Sequence, residues 1–218
     1  MPKHFPLSSV ADIRKDYKLK TLDETDVSVD PFQQFDAWWQ EAMASAIEEV
    51  NAMTLCTVDA NGRPQGRIVL LKNYDARGFT FFTNYESKKG AELAKSSFAS
   101  LVFFWKELER QVRISGNVEK LPANESEVYF HSRPVGSQLG ALASPQSKPI
   151  ENRQVLENKM EMLQNIYRGK EVPRPAHWGG YVLRPDYFEF WQGRPSRLHD
   201  RITYTKSESN WNIQRLAP

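Results

Sequence analysis

Between Met53 and Leu121 the hydrophobic pattern runs at period two, in short segments separated by hairpin turns, and this constrains the fold more than any other feature. Met53-Thr54-Leu55-Cys56-Thr57-Val58-Asp59 reads as a strand, and the Asn61-Gly62 behind it is a strong hairpin turn. A second strand, Arg67-Ile68-Val69-Leu70-Leu71-Lys72, closes at the turn Asp75-Ala76-Arg77-Gly78, and Phe79-Thr80-Phe81-Phe82-Thr83 is a third. A short helix over 88–96 precedes strands at 98–105 and 111–121. Strands this short and closely spaced point to an antiparallel barrel more than to a parallel sheet.

Helical period appears on either side. Asp30-Pro31 marks a helix start, with an acceptor side chain at the N-cap and proline in the first turn. Phe32, Phe35, Trp39, Ala42, Met43, Ala46 and Ile47 then recur at spacings of three and four, the pattern of a core-facing helix. Asn124 is a candidate cap for a helix through Tyr129 and His131 that Pro134 stops. Leu156, Met160, Leu163 and Tyr167 mark a longer helix over about 150–168, ended by Gly169. The chain returns to strands at 180–183, 187–191, 201–205 and 211–216. Residues 1–29 lack a continuing core face and read as a mobile arm, with a possible short helix around 10–17. The expectation is one domain over 30–218, mainly β with peripheral helices (α+β).

Composition narrows the function classes. No run approaches the roughly 18 apolar residues that span a bilayer, and Met1-Pro2-Lys3-His4-Phe5-Pro6 lacks the apolar stretch of a secretory leader, so a cytoplasmic protein with no membrane partner is expected. The net charge of +2 gives no reason to expect nucleic acid as a partner. The one cysteine, Cys56, excludes an intrachain disulfide and a cysteine-based zinc site; between Leu55 and Thr57 it reads as a small buried apolar residue. There is no GxxxxGK[ST], GxGxxG, HExxH or GxSxG, and His4, His131, His177 and His199 are too scattered to suggest a metal site.

What remains is a set of cations within ordered segments. Arg67 and Lys72 bracket a strand of aliphatics. Lys88 and Lys89 open a helix beside Ser87 and after Thr83. Arg133 follows a helix end, with Ser137 four residues on. Phosphate recognition uses this combination of fixed positive charge, hydroxyl donors and free amides at a helix N-terminus. Taken singly, each cation is more often a solvated surface charge or a strand-end salt bridge. The densest segment is Glu189-Phe190-Trp191-Gln192-Gly193-Arg194-Pro195-Ser196-Arg197-Leu198-His199-Asp200-Arg201, where Trp191 is either a platform for a planar ring or a core residue beside a charged turn. His199 alone reads first as a structural residue, and Phe103-Phe104-Trp105 as core or interface. From the residues alone the reading is a soluble barrel-like protein with clustered phosphate-binding candidates.

These same residues carry a resemblance. Arg67–Lys72, Phe82-Thr83-Asn84 with Ser87-Lys88-Lys89, Glu109-Arg110-Gln111-Val112, Tyr129-Phe130-His131-Ser132-Arg133-Pro134, Gln146-Ser147, Trp178-Gly179-Gly180 and the segment from Phe190 to Arg201 resemble, in order, the pyridoxine (pyridoxamine) 5′-phosphate oxidases. The resemblance spans about Arg14 to Pro218. It implies an FMN-binding split β-barrel, and a homodimer with two FMN sites lined by both chains. Arg67, Ile68, Val69, Leu70, Leu71, Lys72, Phe82, Thr83, Lys88, Lys89 and Gln111 would hold FMN from one side, and Gln146, Ser147, Trp191 and Arg201 would complete the site. Lys72, Tyr129, Arg133 and Ser137 would take the substrate phosphate. Arg197, Leu198 and His199 would lie over the pyridine ring, Arg197 and His199 being the catalytic pair, with Arg14, Lys15, Asp16 and Tyr17 as a lid. The implied reaction is hydride transfer from C4′ of pyridoxine or pyridoxamine 5′-phosphate to the flavin. It yields pyridoxal 5′-phosphate, with O2 as acceptor and H2O2 released. The alternatives are a related FMN split-barrel oxidoreductase with another substrate and a non-catalytic vitamer-phosphate binding protein. Lys88 departs from the arginine common in the family, which implies weaker FMN binding, since a lysine lacks the planar fork. An unchanged dissociation constant in Lys88→Arg counts against that expectation.

Overall fold

A computed structural model describes residues 12, 13 and 15–218. Arg14 and residues 1–11, with much of the helix expected around 10–17, lie outside the described residues. In chain order the elements are α1 (Pro31–Met43), β1 (Ala52–Val58), β2 (Pro64–Leu70), β3 (Asn73–Asp75), β4 (Gly78–Asn84), α2 (Lys88–Lys95), β5 (Phe98–Trp105), β6 (Arg110–Lys120), α3 (Ala123–Ser132), α4 (Val135–Ala143), α5 (Arg153–Ile166), β7 (Trp178–Gln192), β8 (Asp200–Ser207) and β9 (Asn210–Arg215). The strands join one sheet in the order β2-β1-β5-β6-β7-β4-β3, with β8 on β7 and β9 on β8. The pairs β1–β2, β1–β5, β3–β4, β4–β7 and β8–β9 are antiparallel. The architecture is therefore α+β and antiparallel, as the period-two pattern implied. Among the described residues no helix is long and apolar enough to cross a membrane.

The chain forms two compact units. One comprises Met1–Ile47, Phe104–Val112 and Glu189–Pro218; the other, Glu48–Phe103 and Arg113–Phe188.

In the first unit α1 starts where Asp30 accepts the amide of Phe32, with Pro31 in the first turn. The buried stripe is Pro31, Gln34, Phe35, Trp38 and Ala42. Trp38, which the pattern did not include, is the buried tryptophan, while the expected Trp39 is half-buried and packs on Phe35 and Trp105 at 5.9 and 6.3 Å. Met43 is exposed because the helix ends there, before the pattern through Ala46 and Ile47 can continue. Trp38 packs edge-on against Phe190 at 5.3 Å, and Phe190 against Tyr204 at 5.6 Å. Burial of the Tyr204 hydroxyl, which donates to the Ser28 carbonyl, raises its pKa.

In the second unit β1 and β2 pair from Ala52↔Leu70 to Val58↔Pro64 across the turn that holds Gly62 at φ 78°. Alternation along β1 buries Met53, Leu55 and Thr57 and turns Cys56 to the opposite face, so Cys56 is only half-buried, not the buried residue expected. The second unit's helical cluster joins Phe130, Leu139, Ala143, Leu163, Val172 and Trp178. It fixes α3 and α4, and with them Tyr129 and Arg133. Asn124 caps nothing: α3 starts one residue earlier, behind Pro122. In α5 only Leu163 of the expected core positions is fully buried.

Candidate active site

The second unit carries a cleft of about 510 Å³, within the size range of small-molecule sites. Its lining includes Ile68, Val69, Leu70, Lys72, Phe82, Thr83, Asn84, Lys89, Tyr129, Arg133, Ser137, Gln146 and Trp178. One end is a cation–hydroxyl cluster. Lys89 Nζ lies 3.2 Å from both Thr83 Oγ1 and Gln146 Oε1, and Thr83 donates to the same Gln146 oxygen at 3.2 Å. The cluster forms because β4 ends at Asn84 and α2 begins four residues past it, at Lys88. Ser87 caps that helix by accepting from Gly90 N–H and donating to the Asn84 carbonyl. Gly90 has no substitute here, since any Cβ would collide with the backbone carbonyl of Tyr85. The first turn of α2 holds two lysines and no acid, so two positive charges sit at the positive end of a helix dipole. That arrangement suits a bound anion.

Arg67 does not line the cleft but lies close enough to Lys89 to act on its charge, and it is held in a way the sequence did not disclose. Its Nη2 pairs with the Glu92 carboxylate at 2.9 Å, and its Nη1 donates to Leu55 O and to Thr57 Oγ1. Glu92 is 5% exposed and also accepts from Thr57. Burial lowers the Lys89 pKa, and the nearby Arg67 charge lowers it further against the opposing pull of Glu92. Two cations thus face one carboxylate, which leaves a net positive charge. Lys88 turns elsewhere, with its Nζ on Gln65 Oε1 at 2.9 Å.

The other end is aromatic and cationic. Phe82 stacks on Tyr129 at 3.8 Å between centroids and on Trp178 at 5.5 Å. The Arg133 guanidinium lies 4.4 Å from the Trp178 ring centroid, and its Nη2 donates to the Ser137 carbonyl. Arg133 Nη1 is buried without a partner. Of the expected residues, Leu71 faces the core at 4% exposure, while Arg67, Lys88, Gln111 and the exposed Ser147 do not line the cleft.

The first unit carries a second cleft of about 470 Å³ lined by Ile13, Lys15, Asp16, Tyr17, Arg194, Ser196, Arg197 and His199. Trp191 is half-buried, tilted against His199 at 4.6 Å and edge-on to Tyr17 at 5.7 Å. The backbone N–H of Arg194 donates to His199 Nδ1 at 3.0 Å, so the neutral ring carries its proton on Nε2. Burial and the charge of Arg197 lower the His199 pKa, opposed by Asp200, which favours the neutral ring at physiological pH. Ser196 and Arg197 both hold left-handed conformations, at φ 56° and 61°. Strain at two successive non-glycine residues is typical of functional turns. Arg201 donates to Glu189 at 2.9 Å and to the Ala217 carbonyl, and Leu198 is exposed. Neither lines this cleft.

Known proteins match this chain closely. A family model described as pyridoxamine 5′-phosphate oxidase matches residues 39–167, and one described as the pyridoxine 5′-phosphate oxidase C-terminal dimerisation region matches 178–218. A pyridoxine/pyridoxamine 5′-phosphate oxidase of Cyanothece sp. is 56% identical over 96% of this chain and 99% of its own length. One from Paraburkholderia phymatum is 57% identical over 97% of this chain and 100% of its own. Among solved structures, PhzG from Burkholderia lata in complex with tetrahydrophenazine-1-carboxylic acid superposes with TM-score 0.86 at 30% identity, covering 92% of this chain and 99% of that one. A pyridoxamine 5′-phosphate oxidase-related, FMN binding protein from Nostoc punctiforme shares the fold, with TM-score 0.68 at 15% identity, over 88% of this chain and 99% of that one. The split-barrel fold expected from the resemblance is the fold observed.

Proposed function

The chain belongs to the pyridoxamine 5′-phosphate oxidase family, and from this we propose that it converts pyridoxine or pyridoxamine 5′-phosphate to pyridoxal 5′-phosphate, using FMN and O2, as a homodimer whose flavin sites are lined by both chains. The observation that carries the reading is that one cleft is lined by Lys89 and Thr83 and by Lys72, Tyr129, Arg133 and Ser137, which would serve as two groups of phosphate ligands. The residues fit the cofactor. Desolvated Lys89 beside Arg67 lacks a second counter-charge, which a flavin phosphate would supply. Bound there, the flavin would accept a hydride equivalent from the substrate and pass its electrons to oxygen.

The protein's part is to bind and orient. Lys72, Arg133 and the hydroxyls of Tyr129 and Ser137 hold the vitamer phosphate remotely, which fixes the reacting carbon; such positioning contributes several kcal/mol, on the order of those measured for oriented reactions. The buried, unpartnered Arg133 Nη1 suits this use. Arg197, always charged, orients the pyridine ring and stabilises charge developing on it. Neutral His199 offers Nε2–H as a positioning or proton-relay donor. Residues 1–29 act as an arm whose Lys15, Asp16 and Tyr17 cover the ring.

A related flavin enzyme with another substrate would keep the Lys89 cluster and need no second phosphate set, so Lys72, Tyr129, Arg133 and Ser137 favour the vitamer. The test is aerobic addition of pyridoxine 5′-phosphate to the purified yellow protein. Pyridoxal 5′-phosphate and H2O2 in equal amounts are expected; a flavin-loaded protein inert toward both vitamer phosphates overturns the reading.

A further inference from the structure

Glu109, the residue before β6, is 2% exposed and held at φ 55°. Non-glycine residues seldom occupy that region unless their surroundings dictate it. Its Oε2 accepts the backbone N–H of Lys18 at 2.8 Å and of Leu19 at 3.1 Å, and its Oε1 lies 3.3 Å from Lys15 Nζ. Burial alone would raise the carboxyl pKa. The two amides and the ammonium outweigh it, so the group is held below the usual carboxylate range and stays ionised. The Glu109 carbonyl meanwhile accepts from Gly193 N–H at 2.7 Å and Gln192 Nε2 at 3.2 Å. One residue thus joins the arm, through its side chain, to the strand end that carries Trp191, through its backbone.

Tyr17 sits between the tied points. Its ring covers Gly193, where an added Cβ would come within 2.7 Å of it, and meets Trp191 and His199 edge-on at 5.7 and 6.0 Å. We infer that Glu109 is a positioning residue for the vitamer site: its carboxylate, acting through the amides of residues 18 and 19 and through Lys15, sets Tyr17 against Trp191 and His199. Glu109 does not line the cleft itself, so its influence on substrate runs through the arm. The substrate side of the inference rests on the oxidase reading above; the latch rests on these contacts.

The test uses the full-length, flavin-loaded enzyme. Glu109→Gln is expected to raise KM for pyridoxine 5′-phosphate about tenfold, the scale of one lost charge-assisted hydrogen bond, with kcat and flavin content changed less than about twofold. Trypsin cleavage after Lys18 and Lys20 should accelerate. In a double-mutant cycle, Tyr17→Ala/Glu109→Gln should bind substrate no more weakly than Tyr17→Ala alone, because both remove the same contact. Additive losses with unchanged arm cleavage overturn the inference and assign Glu109 to its own turn. If Glu109→Gln does not fold, Lys15→Met probes the latch from the arm side. Faster cleavage after Lys18 and a raised KM support it; unchanged values refute it. An enzyme inert toward vitamer phosphates removes the oxidase reading, while the cleavage rates still decide the latch.

Discussion

Glu92 lies beneath the proposed flavin-phosphate site and offers a demanding test of how that site is built. Its carboxylate pairs with Arg67 at 2.9 Å, with side-chain exposures of 5% for Glu92 and 21% for Arg67. Removing one partner of a buried pair costs roughly 3–5 kcal/mol. Glutamine keeps one oxygen for Arg67, and Arg67 keeps Leu55 O and Thr57, so Glu92→Gln should cost less, about 2–3 kcal/mol. In a chain of this size each kcal/mol moves the midpoint roughly 2–4 °C, which gives a loss of about 4–12 °C for the apoprotein. The assay is thermal unfolding followed by circular dichroism, without and with saturating FMN. Because the variant site carries one more positive charge, FMN should raise the Tm of Glu92→Gln more than that of wild type. An apoprotein shift below about 2 °C, or an FMN-induced shift no larger than wild type's, refutes the view that Glu92 anchors Arg67 and partly neutralises the site.

Other outcomes follow from the second cleft. Arg197→Met should lower turnover far more than flavin content, checked by steady-state rates against flavin absorbance; unaltered turnover would refute the proposed role. Ser196→Gly should relieve left-handed strain and stabilise the protein by roughly 0.5–1 kcal/mol, read as a higher Tm; a lower Tm contradicts the strain argument. His199 has a lowered pKa in the fold, so the unfolded chain binds more protons as pH falls through the ordinary value of 6.5, and the His199 contribution to stability is lost below it. Protonation also ends acceptance from Arg194 N–H and adds a cation beside Arg197. The kcat/KM should therefore fall on the acid side, and His199→Gln should flatten that limb. An acid limb unchanged in His199→Gln contradicts the assignment.

Much of this was legible in the residues. Asp30-Pro31 started α1 and Asn61-Gly62 turned the first hairpin because capping and positive-φ chemistry are local. The strand at 98–105 also stands where period two placed it. Tertiary context decided the rest. The expected strands at 180–183 and 187–191 are one strand, β7, because Pro185 is accommodated where Gly116 lets the backbone at Arg184 and Pro185 approach closely. Helix α4 was missed because Gly136 and Gly140 weaken its apparent propensity while Leu139 and Ala143 pack it. Of the adjacent tryptophans 38 and 39, the register fixed at Pro31 turns Trp38 inward. The cations Lys89 and Arg133 were visible as phosphate candidates; Glu92, whose spacing from Lys88 is only that of a helical neighbour, was not.

On the proposed reading, the Lys89–Thr83 end of the cleft, with Arg67 acting on Lys89, recognises a flavin through its phosphate. The direct measurement is equilibrium binding of FMN and of riboflavin to the apoprotein, followed by flavin fluorescence. Two charge-assisted contacts predict FMN tighter by about a hundredfold or more. Equal affinity for the two flavins would contradict it.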